Sequence, residues 1–193
     1  MDEKSCLFYY KQLFFRRRKM EKDSPILYYV DKDFLKYLHK EDYRVSVKFN
    51  NRPFAGIVTM VGDKKYMIPL TSQTREERKK EGKKKRSALI TTFVTETSGK
   101  EISNLLYNNM IPITEDMITA LIIDPKTDTY ESNEIRYLRK NWSSIEKKAT
   151  NVYNQRHDTK SPNFDFLKKT CCDFKKLETA LDQYGNNTKE QNI

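Results

Sequence analysis

Thr71 and Ser72 stand side by side at the end of an apolar run, KYMIPLTS, and a dense cationic segment follows immediately. Arg75, Arg78, Lys79, Lys80, Lys83, Lys84, Lys85 and Arg86 are set there against Glu76, Glu77 and Glu81. Thr and Ser commonly close strands and charged loops are commonly only solvated, so each part alone has an ordinary explanation. Together, adjacent alcohols and cations suit a phosphate, because hydroxyls donate to its oxygens and guanidinium groups grip it as a planar fork. RNA can be cut with no more than this. Its own 2′-OH attacks the neighbouring phosphorus, and the protein has only to place the nucleotide, help move protons and stabilise charge on the phosphorane oxygens. Thr71, Ser72 and, where its loop lies beside the strand end, Arg52 are the candidate catalytic groups. Lys48 and the eight cations from Arg75 to Arg86 are the candidate RNA-binding residues, a funnel for the backbone.

Other chemistries are poorly supplied. Metal-dependent hydrolysis needs converging carboxylates or histidines. The chain has two histidines, His39 and His157, and its nearest acidic pair, Asp31-x-Asp33, sits where a helix cap accounts for it. No metal and no cofactor is expected. Two-histidine acid–base catalysis would require His39 and His157 to meet in space, and Cys171 lies in an apolar context where thiols are inert. With 37 Lys+Arg against 27 Asp+Glu, a net charge of +10 implies a polyanionic partner. An aromatic fraction of 12% in so polar a chain favours single-stranded RNA, whose bases stack on rings. Three cysteines without C-x-x-C spacing point to a reducing cytoplasm, and no stretch approaches the roughly 20 apolar residues that cross a bilayer.

The elements that must position these groups follow from periodicity. ILYYV reads as a strand, and DKDFLKYLHK as a helix capped by Asp31 with Phe34, Tyr37 and Leu38 inward. YRVSVKF alternates, predicting a strand with Val45, Val47 and Phe49 on one face and Arg44, Ser46 and Lys48 on the other. FAGIVTMV and KYMIPL flank Gly62-Asp63-Lys64 as a hairpin. ALITTFV is a further strand, ISNLLYNN is expected as a short helix, and MIPI as a short edge strand. Ile135, Leu138, Trp142, Ile145, Ala149 and Val152 form one stripe on an amphipathic helix of about six turns. Leu177, Leu181 and Tyr184 repeat that spacing after Phe174, with Gly185 placed to stop the helix. Many short strands and little glycine suggest a partly open barrel, hence an α+β fold. Residues 1–24 are an N-terminal extension or basic arm, with Met20 an alternative start. Residues 25–185 form one domain, strand-rich over about 26–123 and helical over about 131–185, and 186–193 are a flexible tail.

NRPFAGIV (51–58), KYMIPLTS (65–72), MIPI (110–113), the helix around IRYLRKN and TCCDFKKLE (170–178) together resemble the ToxN/AbiQ family of type III toxin-antitoxin endoribonucleases. The resemblance spans about residues 26–185, and Pro-Leu-Thr-Ser is its most specific element. It implies an SH3-like antiparallel barrel of the MazF/Kid type elaborated with helices. It also implies metal-independent cleavage of single-stranded RNA to 2′,3′-cyclic phosphate and 5′-OH ends, with a small pseudoknotted RNA antitoxin, processed from a tandem-repeat transcript, bound in a closed toxin–RNA assembly. Membrane and DNA are not expected partners. The family's active-site hydroxyls fall on Thr71 and Ser72 and its cation before the first long strand on Arg52. Where the family has Pro and Lys after the hydroxyls this chain has Gln73 and Thr74, so that cation must come from Arg75, Arg78 or Lys79. The aromatic of the first helix falls on Phe34, which has no hydroxyl to shuttle a proton. A non-catalytic RNA-binding regulator and a basic nucleic-acid-packaging protein are the competing readings.

Overall fold

A run such as Tyr66-Met67-Ile68, apolar at successive positions, suits a strand covered on both faces, and these three side chains are fully buried. The computed structural model describes residues 27–46, 55–124 and 126–190, with the backbone alone at 55 and 186–190. Its strands are β1 (Leu27–Val30), β2 (Ala55–Val61), β3 (Lys64–Thr71), β4 (Thr91–Thr95), β5 (Glu101–Leu106), β6 (Ile111–Pro112) and β7 (Ile118–Ala120). They pair antiparallel in the order β4-β5-β3-β2-β1-β7, with β6 on β3. The helices are α1 (Lys32–Glu41), α2 (Arg75–Lys80), α3 (Thr129–His157), α4 (Phe164–Thr170) and α5 (Phe174–Glu190). The result is a mixed fold of helices and one seven-stranded antiparallel sheet.

Strand β3 organises the sheet. One edge takes β2 from Pro69 opposite Gly56 to Lys64 opposite Val61, and the predicted hairpin turns at Gly62 with φ of 65°. The other edge is shared, β6 pairing at Tyr66 and Met67 and β5 at Leu70 and Thr71. At Gly56 the two backbones approach so closely that a Cβ would overlap the Ile68 carbonyl and the Met67 sulfur. The other side of the core is helical. Leu138, Ile145, Ala149 and Val152 of α3 are buried, and Ile135 and Trp142 pack against them. Phe174, Leu177 and Leu181 of α5 are buried likewise, and α1 contributes Phe34, Leu35 and Leu38 beneath an Asp31 cap whose carboxylate accepts from the N–H groups of Asp33 and Phe34.

Four expectations change. ISNLLYNN is not a helix: Glu101–Leu106 is β5, with only Tyr107–Asn109 in a 3₁₀ turn. Pairing with β3 and β4, which buries Ser103, Asn104 and Leu105 completely, overrides local preference. The strand expected over YRVSVKF is not present in its described part. Tyr43 to Val45 form a turn and a bend closed by Arg44, whose guanidinium donates to both Asp42 carboxylate oxygens at 2.9 Å. Residues 47–49 lie outside the described residues, as do 1–24 and 191–193. Helix α5 continues through Gly185 to Glu190, since an interior glycine costs only about 1 kcal/mol. Helix α3 spans 29 residues, longer than the predicted stripe.

The sheet and helices are tied by one buried carboxylate. Tyr66 on β3 and Tyr153 on α3 both donate to Glu178 Oε1 at 2.7 Å, and Lys175 Nζ reaches Oε2 at 3.0 Å. Burial disfavours the charge on Glu178, yet these donors outweigh it and hold the carboxyl below its ordinary value, while burial pushes the Tyr66 phenol up. A carboxylate with a depressed folded pKa contributes stability at neutral pH that is lost as pH falls through and below the ordinary range, about 4.3 for Glu. Denaturant unfolding measured from about pH 6 to about pH 3 should therefore show Glu178→Gln less stable at the upper end and converging on the parent at the lower. Parallel pH profiles would contradict this role for Glu178.

Candidate active site

At Thr71 the chain leaves the sheet, and strand alternation sends its two alcohols to different environments. Thr71, opposite Asn104 of β5, is 8% exposed, and its hydroxyl accepts from the Gln73 N–H at 3.3 Å. Ser72 is exposed on the surface of the turn.

Gln73 then gathers what lies around the strand end. Its side-chain oxygen accepts from Arg78 Nη1 at 2.9 Å and from Arg86 Nη2 at 3.2 Å. Its backbone carbonyl accepts from Arg86 Nη1 at 3.2 Å and Asn104 Nδ2 at 2.9 Å, and its Nε2 donates to Glu81 at 2.7 Å. With the N–H bond to Thr71 these make six hydrogen bonds at one residue, which fix the chain after Ser72 against β5 on one side and the basic segment on the other. That segment is folded. Thr74 and Glu77 form a reciprocal capping box that starts α2, and Arg78 donates from Nε and Nη2 to the Lys84 carbonyl, closing the return path.

The charges separate into paired and unpaired sets. Arg75 is turned to Glu101, its Nε donating at 2.6 Å, and lies 4.1 Å above the Phe93 ring. Lys80 pairs with Glu76 and Lys83 with Glu81. Among the described residues no carboxylate forms an ion pair with Arg78, Lys79, Lys84, Lys85 or Arg86. Burial, and then the neighbouring Arg78, lower the pKa of Arg86 from the ordinary guanidinium value. The structure thus brings Thr71, Ser72, Arg78 and Arg86 together through Gln73. It places Arg75 and Lys79 on the wall of an adjoining cavity of about 490 Å³ that Phe93 also lines. Arg52 and Lys48 lie outside the described residues.

Gln73, Asn104, Glu101 and Phe93 carry this arrangement, and no sequence motif singles them out as site residues. The break after Thr-Ser at Gln73-Thr74 was the one signal for Gln73; the others belong to strands whose pairing brings them in. The histidines serve elsewhere: His39 Nδ1 meets the Val45 carbonyl at 2.7 Å, and His157 packs against Tyr153. Cys171 is buried, which pushes its thiol up to about 11, as inertness requires. Phe34 is fully buried in the core.

The family model described as toxin ToxN, type III toxin-antitoxin system, matches residues 26–182. The chain belongs to this family. Endoribonuclease ToxN of Bacillus thuringiensis subsp. kurstaki is 26% identical over 174 residues, covering 84% of this chain and 86% of that protein. Endoribonuclease AbiQ of Lactococcus lactis subsp. lactis is 27% identical over 165 residues, covering 82% and 88%. A solved structure from work on selective inhibition of a type III toxin by a non-coding RNA pseudoknot superposes with a TM-score of 0.71 at 26% identity, covering 84% of this chain and 99% of that one.

If Gln73 is the fastener, Gln73→Ala should free the segment from Arg78 to Arg86, rich in trypsin sites. Limited trypsinolysis under native conditions should cut there about ten-fold faster, an increase that follows from an opening free energy lowered by roughly 1.4 kcal/mol, about the worth of one hydrogen bond. Unchanged cleavage would mean that the loop holds its shape without Gln73.

Proposed function

We propose that the chain is an endoribonuclease, the toxin of a type III toxin-antitoxin system. On this reading it cuts single-stranded RNA without a metal, by attack of the RNA's 2′-OH on the adjacent phosphorus, leaving 2′,3′-cyclic phosphate and 5′-OH ends. A small pseudoknotted RNA, processed by the toxin from a tandem-repeat transcript, inhibits it in a closed protein–RNA assembly. Membership of the ToxN family and the two named endoribonuclease relatives support the activity. The observation that carries the site is the exposed Ser72 flanked in the chain by the buried Thr71 and by Gln73, whose amide oxygen accepts from two guanidinium groups that form no ion pair among the described residues.

In the proposed mechanism Ser72 Oγ donates to a non-bridging oxygen of the scissile phosphate. Thr71, engaged by the Gln73 N–H, orients the turn. Arg52 neutralises the phosphorane, and because a guanidinium keeps its proton it acts by charge and hydrogen bonding rather than as an acid. The finer assignments belong to the same proposal: an SH3-like barrel of the MazF/Kid type with a C-terminal amphipathic helix, one catalytic domain over residues 25–185, and a cytoplasmic setting. Antiparallel pairing of every strand supports the first. Two free, buried cysteines suit the last, and no described helix is long and apolar enough to cross a membrane.

The test is incubation of the purified protein with single-stranded RNA in excess EDTA, followed by analysis of the ends. Cyclic-phosphate termini are expected from the parent, and Ser72→Ala should lower the cleavage rate by about 10²–10³-fold with RNA affinity nearly intact. Cleavage by Ser72→Ala at the parental rate would remove Ser72 from the mechanism. Binding without any cleavage by the parent would leave an RNA-binding regulator.

A further inference from the structure

The cavity beside the strand end is built from two kinds of wall. On one side the Arg75 guanidinium is stacked over Phe93, and Glu101 fixes its position by accepting from both its backbone N–H at 2.8 Å and its Nε at 2.6 Å. The pair therefore presents a preoriented cationic and aromatic wall. On the other side Arg78 and Arg86 are drawn to a single amide oxygen, that of Gln73. Two cations sharing one neutral acceptor repel each other, and among the described residues hydrogen bonds to Gln73 and the Lys84 carbonyl hold them there, with a longer-range attraction of Arg86 to Glu101. Such a pair is stabilised when an anion enters between the charges. Lys79 and Lys85 line the same cavity and have no ion-pair partner among the described residues. Its volume, about 490 Å³, is within the range of roughly 300–1,000 Å³ that accommodates small organic ligands.

A cationic and aromatic face next to an anion-binding pair matches one chemical unit, a nucleobase with its own phosphate. We propose that this cavity is a subsite for a single nucleotide of the RNA strand, its base lying on the Arg75–Phe93 stack and its phosphate between Arg78 and Arg86. Because Gln73 joins Arg78 and Arg86 to the turn after Ser72, that nucleotide occupies one fixed register relative to the linkage that meets Ser72. The subsite rests on the proposed RNA-cleaving function for its biological meaning, but it is a statement about binding and can be measured without cleavage.

The experiment uses the full chain and a fully 2′-O-methylated, uncleavable RNA, with single abasic positions walked along it and affinity read by fluorescence anisotropy at one fixed salt concentration. Since stacking on an aromatic is worth about 1–3 kcal/mol per base, one register should lose about 5- to 150-fold in affinity when its base is removed. Phe93→Leu should weaken the intact strand by a similar factor and erase the penalty at that register, and Phe93→Tyr, which keeps the ring, should restore both. Free nucleoside monophosphate and inorganic phosphate serve as competitors that separate a strand-held nucleotide from a free one. Competition only by strand supports the proposal, whereas equal competition by a free nucleotide with no register effect overturns it. A register penalty that persists in Phe93→Leu overturns it as well. If the parent binds with the expected register yet cuts no RNA in EDTA, the subsite stands and the cleavage mechanism falls; if it cuts RNA with no register penalty, the converse holds.

Discussion

The arrangement depends on how the chain is held where it leaves the central strand. A turn that carries an exposed serine can place it accurately only if the following residue is fixed, and here the residue that follows is Gln73, bonded through its N–H, its carbonyl and both ends of its amide. A side-chain amide is suited to the task because its oxygen accepts twice while its nitrogen still donates. With a proline at this position the N–H to Thr71 could not exist, and with an apolar residue the two guanidinium groups would have nothing to share. The electrostatics of the region follow from that one residue: it holds positive charge close to the alcohols without neutralising it.

The rest of the fold keeps the strand rigid up to that point. Strand β3 is anchored at its start by the Tyr66–Glu178 bond to α5, flanked by β2 through the close approach at Gly56, and relieved by β5 at its last two residues. Strand β5 does double service, because Asn104 supports the Gln73 carbonyl and Glu101 orients Arg75. Lys148 adds a tie from α3, donating to the Thr91 carbonyl at 2.7 Å and the Thr92 hydroxyl at 3.1 Å, which steadies the strand that carries Phe93. Sites held on strands and their immediate ends are more exact than sites on free loops.

Much of this was legible in the residues, and the parts that were not share a cause. The Asp31 cap, the Gly62 hairpin and the apolar stripe of α3 are local or periodic signals, and each lies where its pattern put it. The ToxN resemblance, carried by Pro-Leu-Thr-Ser and the co-linear segments around it, agrees with the family match over residues 26–182. ISNLLYNN reads locally as helix because the strong reason for its being a strand, pairing with β3 and β4, is distant in sequence. The basic segment reads as a solvated loop because a capping box and bonds to Gln73 do not register in charge counts. Phe93 and Glu101 were invisible as site residues for the same reason, since only the pairing of β4 with β5 brings them to Arg75.

The central claim is that the strand-end serine meets the scissile phosphate of an RNA strand whose neighbouring nucleotide is held by the cations around Gln73. Its most direct test is a crystal structure of the protein with a single-stranded RNA bearing a 2′-deoxy nucleotide at the cut position, which preserves the phosphate but removes the nucleophile. The account predicts a non-bridging oxygen of that phosphate within hydrogen-bonding distance of Ser72 Oγ, about 2.5–3.0 Å, with the strand passing over Arg78 and Arg86. RNA bound on another face, with Ser72 open to solvent, would contradict it.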